Sequence, residues 1–370
     1  MIDDSKLQVP GEFDVISYDI RDFVGDWRQA DYGDPDDERI AQLREEFALD
    51  DVVAGYGSEF EALLALRRWV RSRWDHGWSH SFETVEDALD ILQEAQRGEQ
   101  FTCGFYATVF VACATALGWP ARKISIGLAD CSFPRDRRVG NVGHSVPEAW
   151  SNEHEKWVVL DPDLNVHYER DGVPLSALEI REAWFTGEAD AVEMVQDQPA
   201  FVVPSGRTVE LLNEIFPEYG ISDDNRAAAY CERFTRNRAM DYYGRVRING
   251  WEWVDEWCLP TFVRHFEPAG RARFTSHLPD MYWSLNTVRM TARPSWDEDG
   301  AALEIALEHC APWFDHYEAR VDGGGWERRD GSFDWPMREG VNVLECRTVN
   351  RRERPGIASR LEVAYARPRW

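Results

Sequence analysis

The stretch "RGEQFTCGFYATVFVACATALGWPAR", residues 97–122, decides the fold of this chain. Its central run, residues 105–117, is apolar on every face and contains only two threonines, which predicts a helix buried in the middle of a domain. Gly118 is suited to cap the end of that helix. Cys103 stands directly before the run, in the predicted first turn. It is either a nucleophile that the helix presents or one more small core residue, as Cys113 is expected to be.

A reactive thiol needs a base within hydrogen-bond reach and a third group that orients the base. Downstream of Cys103, the stretch "GHSVPEAWSNEHEKWVVLDPDLN" offers both. If "HSVPEAW" and "KWVVLD" pair as an antiparallel hairpin, Trp150 lies opposite Lys156, and counting back places His144 beside Asp161. The spacing therefore predicts a histidine and a carboxylate side by side on neighbouring strands.

The ordered set of these motifs resembles the transglutaminase-like superfamily. The resemblance covers about residues 59–185 and rests on the cysteine that begins a helix ending "ALGWPAR", on "GHSVPEAW" and on "KWVVLDPD". It implies an α+β, papain-like core of helices packed on an antiparallel sheet. By position, it implies that Cys103 is the nucleophile, His144 the base and Asp161 the orienting carboxylate.

The activity that this resemblance implies is a thiol-dependent hydrolase (an amidase, a peptidase or a glycan amidase) or an acyltransferase. Members that cross-link proteins often carry Gln-Cys-Trp at the nucleophile, whereas this chain has Thr102-Cys103-Gly104. Protein cross-linking is therefore not favoured. Two alternatives stay open: a polysaccharide lyase that acts by β-elimination on a uronate-containing glycan, and a non-catalytic binding scaffold.

Further residues are predicted to line the cleft or contact the substrate. Gln100 precedes Cys103 by three positions and is a possible oxyanion donor, and the tryptophans of the "RVRINGWEWV" hairpin offer faces for sugar rings beside arginine forks for carboxylates. His76 and His80 have helical metal-pair spacing, but the intervening Gly77 and the lack of a third ligand favour a cleft-lining role over a metal site. The predicted substrate-binding set is Gln100, Trp150, Asn165, His167, Tyr168, His76, His80, Arg245, Trp251 and Trp253.

The chain of 370 residues is long enough for two or three domains. We expect an acidic extension over residues 1–58, the catalytic core over 59–200, a connecting segment over 201–270 and an immunoglobulin- or fibronectin-like β-sandwich over 271–370. The connecting segment is expected to contain a helix, Asn225 to Met240, followed by the hairpin around Asn249-Gly250. Short strands separated by Gly, Asp and Pro turns support the sandwich.

The formal net charge of −26 argues against binding to nucleic acid or to anionic membranes. One locally cationic stretch, residues 226–247, either pairs with the acidic remainder or receives an anionic ligand. Seven scattered cysteines without a CxxC pair indicate reduced thiols and a cytoplasmic protein, or a secreted one if a leader has been trimmed. We expect a peptide or acidic-glycan substrate and neither a metal nor a cofactor.

Overall fold

A computed structural model describes residues 13–127, 143–202, 210–211, 213–214, 243–248, 250–257, 273–297 and 300–366. The described chain divides into two compact units. One comprises the described residues of Ala30–Met281, and the other those of Met1–Gln29 together with Tyr282–Trp370. None of the helices in these ranges is long and apolar enough to cross a membrane.

The first unit contributes the α-helices of the described ranges. Their bounds are α1 Glu38–Glu46, α2 Leu49–Val53, α3 Glu59–Arg71, α4 Ala88–Gln96, α5 Cys103–Ala116 and α6 Ala177–Phe185. Asp37, Ser58, Asp87 and Ser176 accept backbone N–H groups at the starts of α1, α3, α4 and α6. These side chains satisfy amides that a helix leaves unpaired, which explains why the helices begin there.

Helix α5 lies in the main hydrophobic core, as its apolar sequence predicts. Tyr106, Val109, Phe110 and Cys113 are fully buried, and the core around them includes side chains from α3 and α4. Burial of a Val or Phe side chain of this kind stabilises the fold by about 1.5–3 kcal/mol. The helix ends at Ala116, and Gly118 two residues later terminates it with a φ of +81°, a conformation that glycine adopts without strain. Cys103 is therefore the first residue of a helix that is anchored in the core.

A mixed sheet packs beside α5. Its strand order is β10-β9-β8-β2-β3-β4, with β2 Ala121–Gly127, β3 Gly143–Ser151, β4 Lys156–Val159, β8 Arg245–Ile248, β9 Trp251–Trp253 and β10 Arg273–Thr275. Neighbouring strands are antiparallel except β9 and β10, which are parallel. Helices packed on this sheet confirm the predicted α+β class. The predicted hairpin of β8 and β9 is also present, although Asn249 in its turn lies outside the described residues.

The register of the β3–β4 hairpin differs by one residue from the sequence prediction. Trp150 pairs with Trp157, not with Lys156. The β3–β4 pairs begin at Glu148, the residue after Pro147, and the Pro147 carbonyl still accepts the Leu160 amide at 3.1 Å. Proline has no N–H to continue the pairing, so the chain beyond Leu160 is free to turn.

A small three-stranded sheet follows the hairpin within the same unit. Its order is β6-β5-β7, with β5 Val166–Arg170, β6 Val173–Pro174 and β7 Glu193–Gln196. An isolated antiparallel bridge joins Asp161 to Val166, with N–H···O distances of 2.9 Å in both directions. This bridge fixes the backbone on either side of the turn that follows β4.

The second unit is a β-sandwich. Its strands are β1 Phe13–Asp19, β11 Val288–Asp297, β12 Gly300–His309, β13 Phe314–Val321, β14 Glu327–Arg329, β15 Ser332–Pro336, β16 Gly340–Asn350 and β17 Ser359–Tyr365. One sheet has the order β1-β17-β16-β13-β14 and the other β11-β12-β15, and their inward side chains share one core. The strand-rich C-terminal domain predicted from the sequence is therefore present. Strand β1 pairs with β17, a contact that local sequence patterns do not indicate.

Candidate functional site

Cys103 is the first residue of α5 and is partly exposed. Its neighbour Thr102 occupies the cap position, but within the described chain the Thr102 side chain accepts no capping hydrogen bond. The first turn also contains no acidic residue. The amides and the dipole at this helix end therefore favour negative charge at the Cys103 sulfur or on an oxygen beside it.

His144 lies near the start of β3 and is 7% exposed. Its Nε2 atom is 2.7 Å from Asp161 Oδ2, and the ring is close enough to Cys103 to hydrogen-bond the thiol. Since Nε2 is held by the carboxylate, Nδ1 is the ring nitrogen available to the sulfur. The imidazole therefore stands between a carboxylate and a thiol.

Asp161 is almost fully buried and uses both carboxylate oxygens. Oδ2 faces His144, whereas Oδ1 accepts the backbone N–H groups of Asp163 at 2.9 Å and Leu164 at 3.2 Å. These amides fix the carboxylate in the plane that suits the histidine. The arrangement holds the His144 ring in one orientation and one tautomer.

Burial acts to lower the pKa of His144, but the charge and hydrogen bond of Asp161 and the contact with Cys103 outweigh it. The pKa of His144 is therefore raised well above its usual value. A histidine that readily stays protonated beside a thiol favours the thiolate–imidazolium pair. This geometry has the elements of nucleophilic catalysis: a thiol at a helix start, an adjacent base and a fixed carboxylate.

A second carboxylate, Asp163, lies in the same place and was missed by the sequence analysis. One of its oxygens lies within 4.8 Å of both the Cys103 sulfur and a ring nitrogen of His144. Its Oδ1 is 2.7 Å from His76 Nδ1. Burial acts to raise the pKa of Asp163, but His76, His144 and Arg71 outweigh burial and lower it, so the group is an anion. The second acid of "LDPD", two residues after Asp161, was the available signal.

His76 is buried and bonds Asp163, and its predicted role in lining the cleft stays a prediction. His80 begins a short 3₁₀ helix, His80–Glu83, and is exposed. The two histidines are therefore in different environments and do not form a pair. Gln100 is partly buried in the segment that leads into α5, and its proposed role as an oxyanion donor stays a prediction.

The residues predicted around Asp161 are buried in structural contacts. Asn165 and His167 hold the buried guanidinium of Arg67, which bonds Asn165 Oδ1 at 3.1 Å and His167 Nδ1 at 2.7 Å. Burial and then Arg67 lower the pKa of His167. Tyr168 packs edge-on against Tyr243 at 5.4 Å. A role for these side chains in binding substrate stays a prediction.

The predicted aromatic residues also have partners of their own. Trp150 is buried, donates to Asn152 and lies six residues along β3 from His144, about 20 Å away. Trp253 donates to Asp255 at 2.9 Å, and the Arg273 guanidinium lies 5.5 Å from the ring centre of Trp251. The side chain of Arg245 and the helix predicted over residues 225–240 lie outside the described residues.

An apolar depression adjoins the start of α5. It is lined by Gly77, Trp78, Ser79, Phe101, Thr102 and Phe105. Because Thr102 precedes Cys103, this depression lies close to the thiol in the described part of the chain. A substrate side chain placed there would bring its neighbouring carbonyl group towards the sulfur.

Comparison with known protein families agrees with this architecture. Residues 47–162, the segment that contains α3, α4, α5, β2, β3, β4 and all three residues of the Cys-His-Asp set, match the model of the transglutaminase-like superfamily. This chain contains a transglutaminase-like domain. The match ends one residue after Asp161.

Two solved structures resemble the chain at low identity. A candidate cysteine protease from Cytophaga hutchinsonii is 18% identical over 43% of this chain and 49% of its own, with a TM-score of 0.25. The chain thus spans about half the length of that protein. Red sea bream transglutaminase is 13% identical, and the match covers 100% of this chain and 79% of that one, with a TM-score of 0.28. Among curated protein sequences, none matches this chain.

Proposed function

We propose that the transglutaminase-like domain is a thiol hydrolase that cleaves an amide bond, with Cys103 as nucleophile, His144 as general base and acid, and Asp161 as the orienting carboxylate. The observation that carries this proposal is the 2.7 Å contact between His144 and Asp161 beside a thiol at the start of a buried helix. The two bonds from backbone amides to Asp161 support it, because they hold that carboxylate in place.

The reaction begins when His144 takes the proton of Cys103 and the thiolate attacks the substrate carbonyl carbon. The oxyanion of the tetrahedral intermediate lies near the amides of the first turn of α5, which stabilise its charge. His144 then donates its proton to the leaving amine, and a thioester forms on Cys103. A water molecule, activated by the same histidine, attacks the thioester and releases the acid.

Water is the acceptor of the acyl group in this proposal because hydrolysis, unlike transfer to an amine, needs no binding site for a second substrate. Transfer to an amine is the runner-up, and the same cleft residues would serve it. No described feature favours the lyase or the binding scaffold, since Trp251 and Trp253 already contact Arg273 and Asp255. The carbohydrate substrate stays a prediction of the sequence alone.

The test is a substrate screen that covers peptides, glycosylamides and acidic glycans, each with and without an added primary amine. We expect release of an amine and an acid from a peptide or glycosylamide, and no activity in Cys103→Ala. Predominant incorporation of the added amine would identify an acyltransferase instead. An unsaturated uronate product, or full activity in Cys103→Ala, would contradict the proposal.

The thiol itself is testable without a substrate. Iodoacetamide near pH 7 should modify Cys103 faster than Cys113, Cys310 and Cys346, which are buried free thiols. Burial raises the pKa of Cys346 to about 12, so only about one molecule in 10⁵ carries a thiolate there at pH 7. An ordinary cysteine is about a thousandfold more ionised. Labelling of Cys103 at the rate of Cys346 would contradict an accessible, activated thiol.

A further inference from the structure

The carboxylate of Asp163, which lies beside the thiol, has an oxygen without a hydrogen-bond partner among the described residues. The residue is 0% exposed, and its Oδ2 atom makes no hydrogen bond to any described residue. An ionised carboxylate oxygen that is buried without a partner is costly, because it has lost its bonds to water. Such an atom indicates that the missing partner is supplied on binding, either by a ligand of this site or by a polar group of another bound molecule.

The neighbours of Asp163 identify the chemistry of that ligand. The Cys103 sulfur, a ring nitrogen of His144 and an oxygen of Asp163 all lie within 4.8 Å of one another. Tetrahedral zinc with Zn–S near 2.3 Å and Zn–N and Zn–O near 2.0–2.2 Å separates its ligand atoms by roughly 3.5 Å. Rotation of the Cys103 side chain and small shifts of the other two would close the remaining gap of about 1 Å.

The outer contacts of these three residues also match those of metal ligands. A histidine that binds a metal usually donates its other ring N–H to a carboxylate, and a ligating carboxylate is itself hydrogen-bonded. Here Asp161 holds His144 Nε2, and His76 holds Asp163 Oδ1, each at 2.7 Å. The partly exposed Cys103 leaves an open side for water as the fourth ligand. His144 and Asp163 are therefore already held in a fixed orientation in the absence of an ion.

We propose that Cys103, His144 and Asp163 form a zinc site that switches the thiol off. Zinc binding displaces the one proton that the Cys103–His144 pair holds, which is released to solvent, and occupies both the sulfur and the His144 nitrogen. The sulfur lone pair and the histidine are then both occupied, so the thiol cannot act as a nucleophile. Binding does not depend on the proposed hydrolase activity, because the ligands bind zinc whether or not the chain turns over a substrate.

The primary test measures zinc binding to the reduced, chelator-treated full chain. We expect one equivalent of zinc in competition with a chromophoric chelator, and a sulfur-to-cobalt charge-transfer band when Co²⁺ is added instead. The spectroscopic measurement is needed because a chain of net charge −26 also attracts divalent ions to its surface. Cys103→Ser should abolish the band. A protein that binds no stoichiometric zinc, or shows no band, would overturn the proposal.

Variants of the carboxylate test the third ligand. Asp163→Asn keeps an oxygen for His76 and should weaken zinc binding by at least about 100-fold, since loss of an outer-shell partner alone costs about 10- to 100-fold. The matched control is Asp75→Asn, whose exposed carboxylate lies next to His76 in sequence and should leave affinity unchanged. Wild-type affinity in Asp163→Asn would exclude Asp163 as a ligand.

Two further measurements do not require Asp163→Asn to fold. In the wild-type protein, zinc should slow iodoacetamide modification of Cys103 at least tenfold, chelator should reverse this, and labelling of buried Cys113 should not change. His76→Gln should weaken zinc binding about 10- to 100-fold. Unchanged labelling of Cys103 in zinc would overturn the site. Failure of zinc to bind leaves the hydrolase proposal intact, whereas an inactive chain that binds zinc at Cys103 would overturn only the hydrolase.

Discussion

The variant Asp161→Asn keeps His144 in the site but removes the carboxylate that orients its ring. Both oxygens of the carboxylate are in use, Oδ2 by His144 and Oδ1 by the amides of Asp163 and Leu164. An asparagine that keeps its one oxygen on those amides turns its NH₂ group towards His144 Nε2. That nitrogen must then accept a hydrogen bond, so the neutral ring carries its proton on Nδ1, towards Cys103. Such a ring cannot take the thiol proton.

The size of the effect follows from the contact that is lost. A hydrogen bond between charged groups contributes about 1.5–3 kcal/mol, and 1.36 kcal/mol is a factor of ten in an ionisation equilibrium. The substitution should therefore reduce the thiolate–imidazolium pair of Cys103 and His144 about 10- to 150-fold. Alkylation of Cys103 near pH 7 should slow by the same factor because the thiolate is the reactive form. Once a substrate is known, kcat should fall by about 10⁴-fold, as expected for a wrong histidine tautomer.

The assay is the second-order rate of Cys103 alkylation by iodoacetamide, measured by peptide mass spectrometry across pH. Asp75→Asn is the matched control, since its carboxylate is exposed and should leave the rate unchanged. Thermal unfolding of Asp161→Asn should remain cooperative, because the asparagine still accepts both backbone amides. A folded Asp161→Asn protein that labels Cys103 at the wild-type rate would refute the proposed role of this carboxylate.

Three other changes have expected outcomes. Glu148→Ala leaves the buried guanidinium of Arg122 without its carboxylate and should lower the free energy of unfolding in urea by about 3–5 kcal/mol. Glu148→Gln also removes the charge but keeps an oxygen for the guanidinium, so it should cost less; equal costs would contradict a contribution from these hydrogen bonds. The raised pKa of His144 stabilises the fold fully at pH values below the ordinary histidine pKa, and this contribution should disappear as the pH rises through the raised value. Urea titrations of the wild type and of His144→Gln at several pH values will detect this loss of stability. Gly356→Ala would press its Cβ against the Asn286 carbonyl and should lower the melting temperature of the sandwich unit, whereas Gly325→Ala, with open space around its Cβ, should not.

The elements that were predictable from the sequence depend on local patterns. The buried helix, its end at Gly118 and the strands around Asn249-Gly250 follow from apolar runs and turn residues, and the structure contains each of them. The contact between His144 and Asp161 was predictable because two paired strands bring distant residues together at a countable position. The predicted register was wrong by one residue. Because the β3–β4 pairing ends at Pro147, this error does not carry over to the contact between His144 and Asp161.

The contacts of Asn165 and His167 show where local reasoning ends. Asn165 and His167 follow Asp161 closely in sequence, so they were expected near the thiol. Instead, both side chains bond the guanidinium of Arg67 from α3, about a hundred residues earlier, whose buried charge is paired with Asp197. A buried arginine needs several acceptors, and nothing in the sequence around Asp161 indicates that one arrives there. Pairing of β1 with β17 is likewise unpredictable, because nothing in the local sequence of either strand indicates its distant partner.

The two carboxylates of "DPD" differ because the chain turns between them. Continuing the β3–β4 register beyond Glu148 and Val159 would put residue 163, not 161, opposite His144. Pairing stops at Pro147, and the bridge from Asp161 to Val166 closes a tight turn that directs Asp161 Oδ1 onto two amides of that turn. The first carboxylate thereby has both oxygens engaged, one by the amides and one by His144. The second carboxylate lies beside the thiol and has one oxygen that bonds no residue in the described ranges, so it has an acceptor left for a further cation.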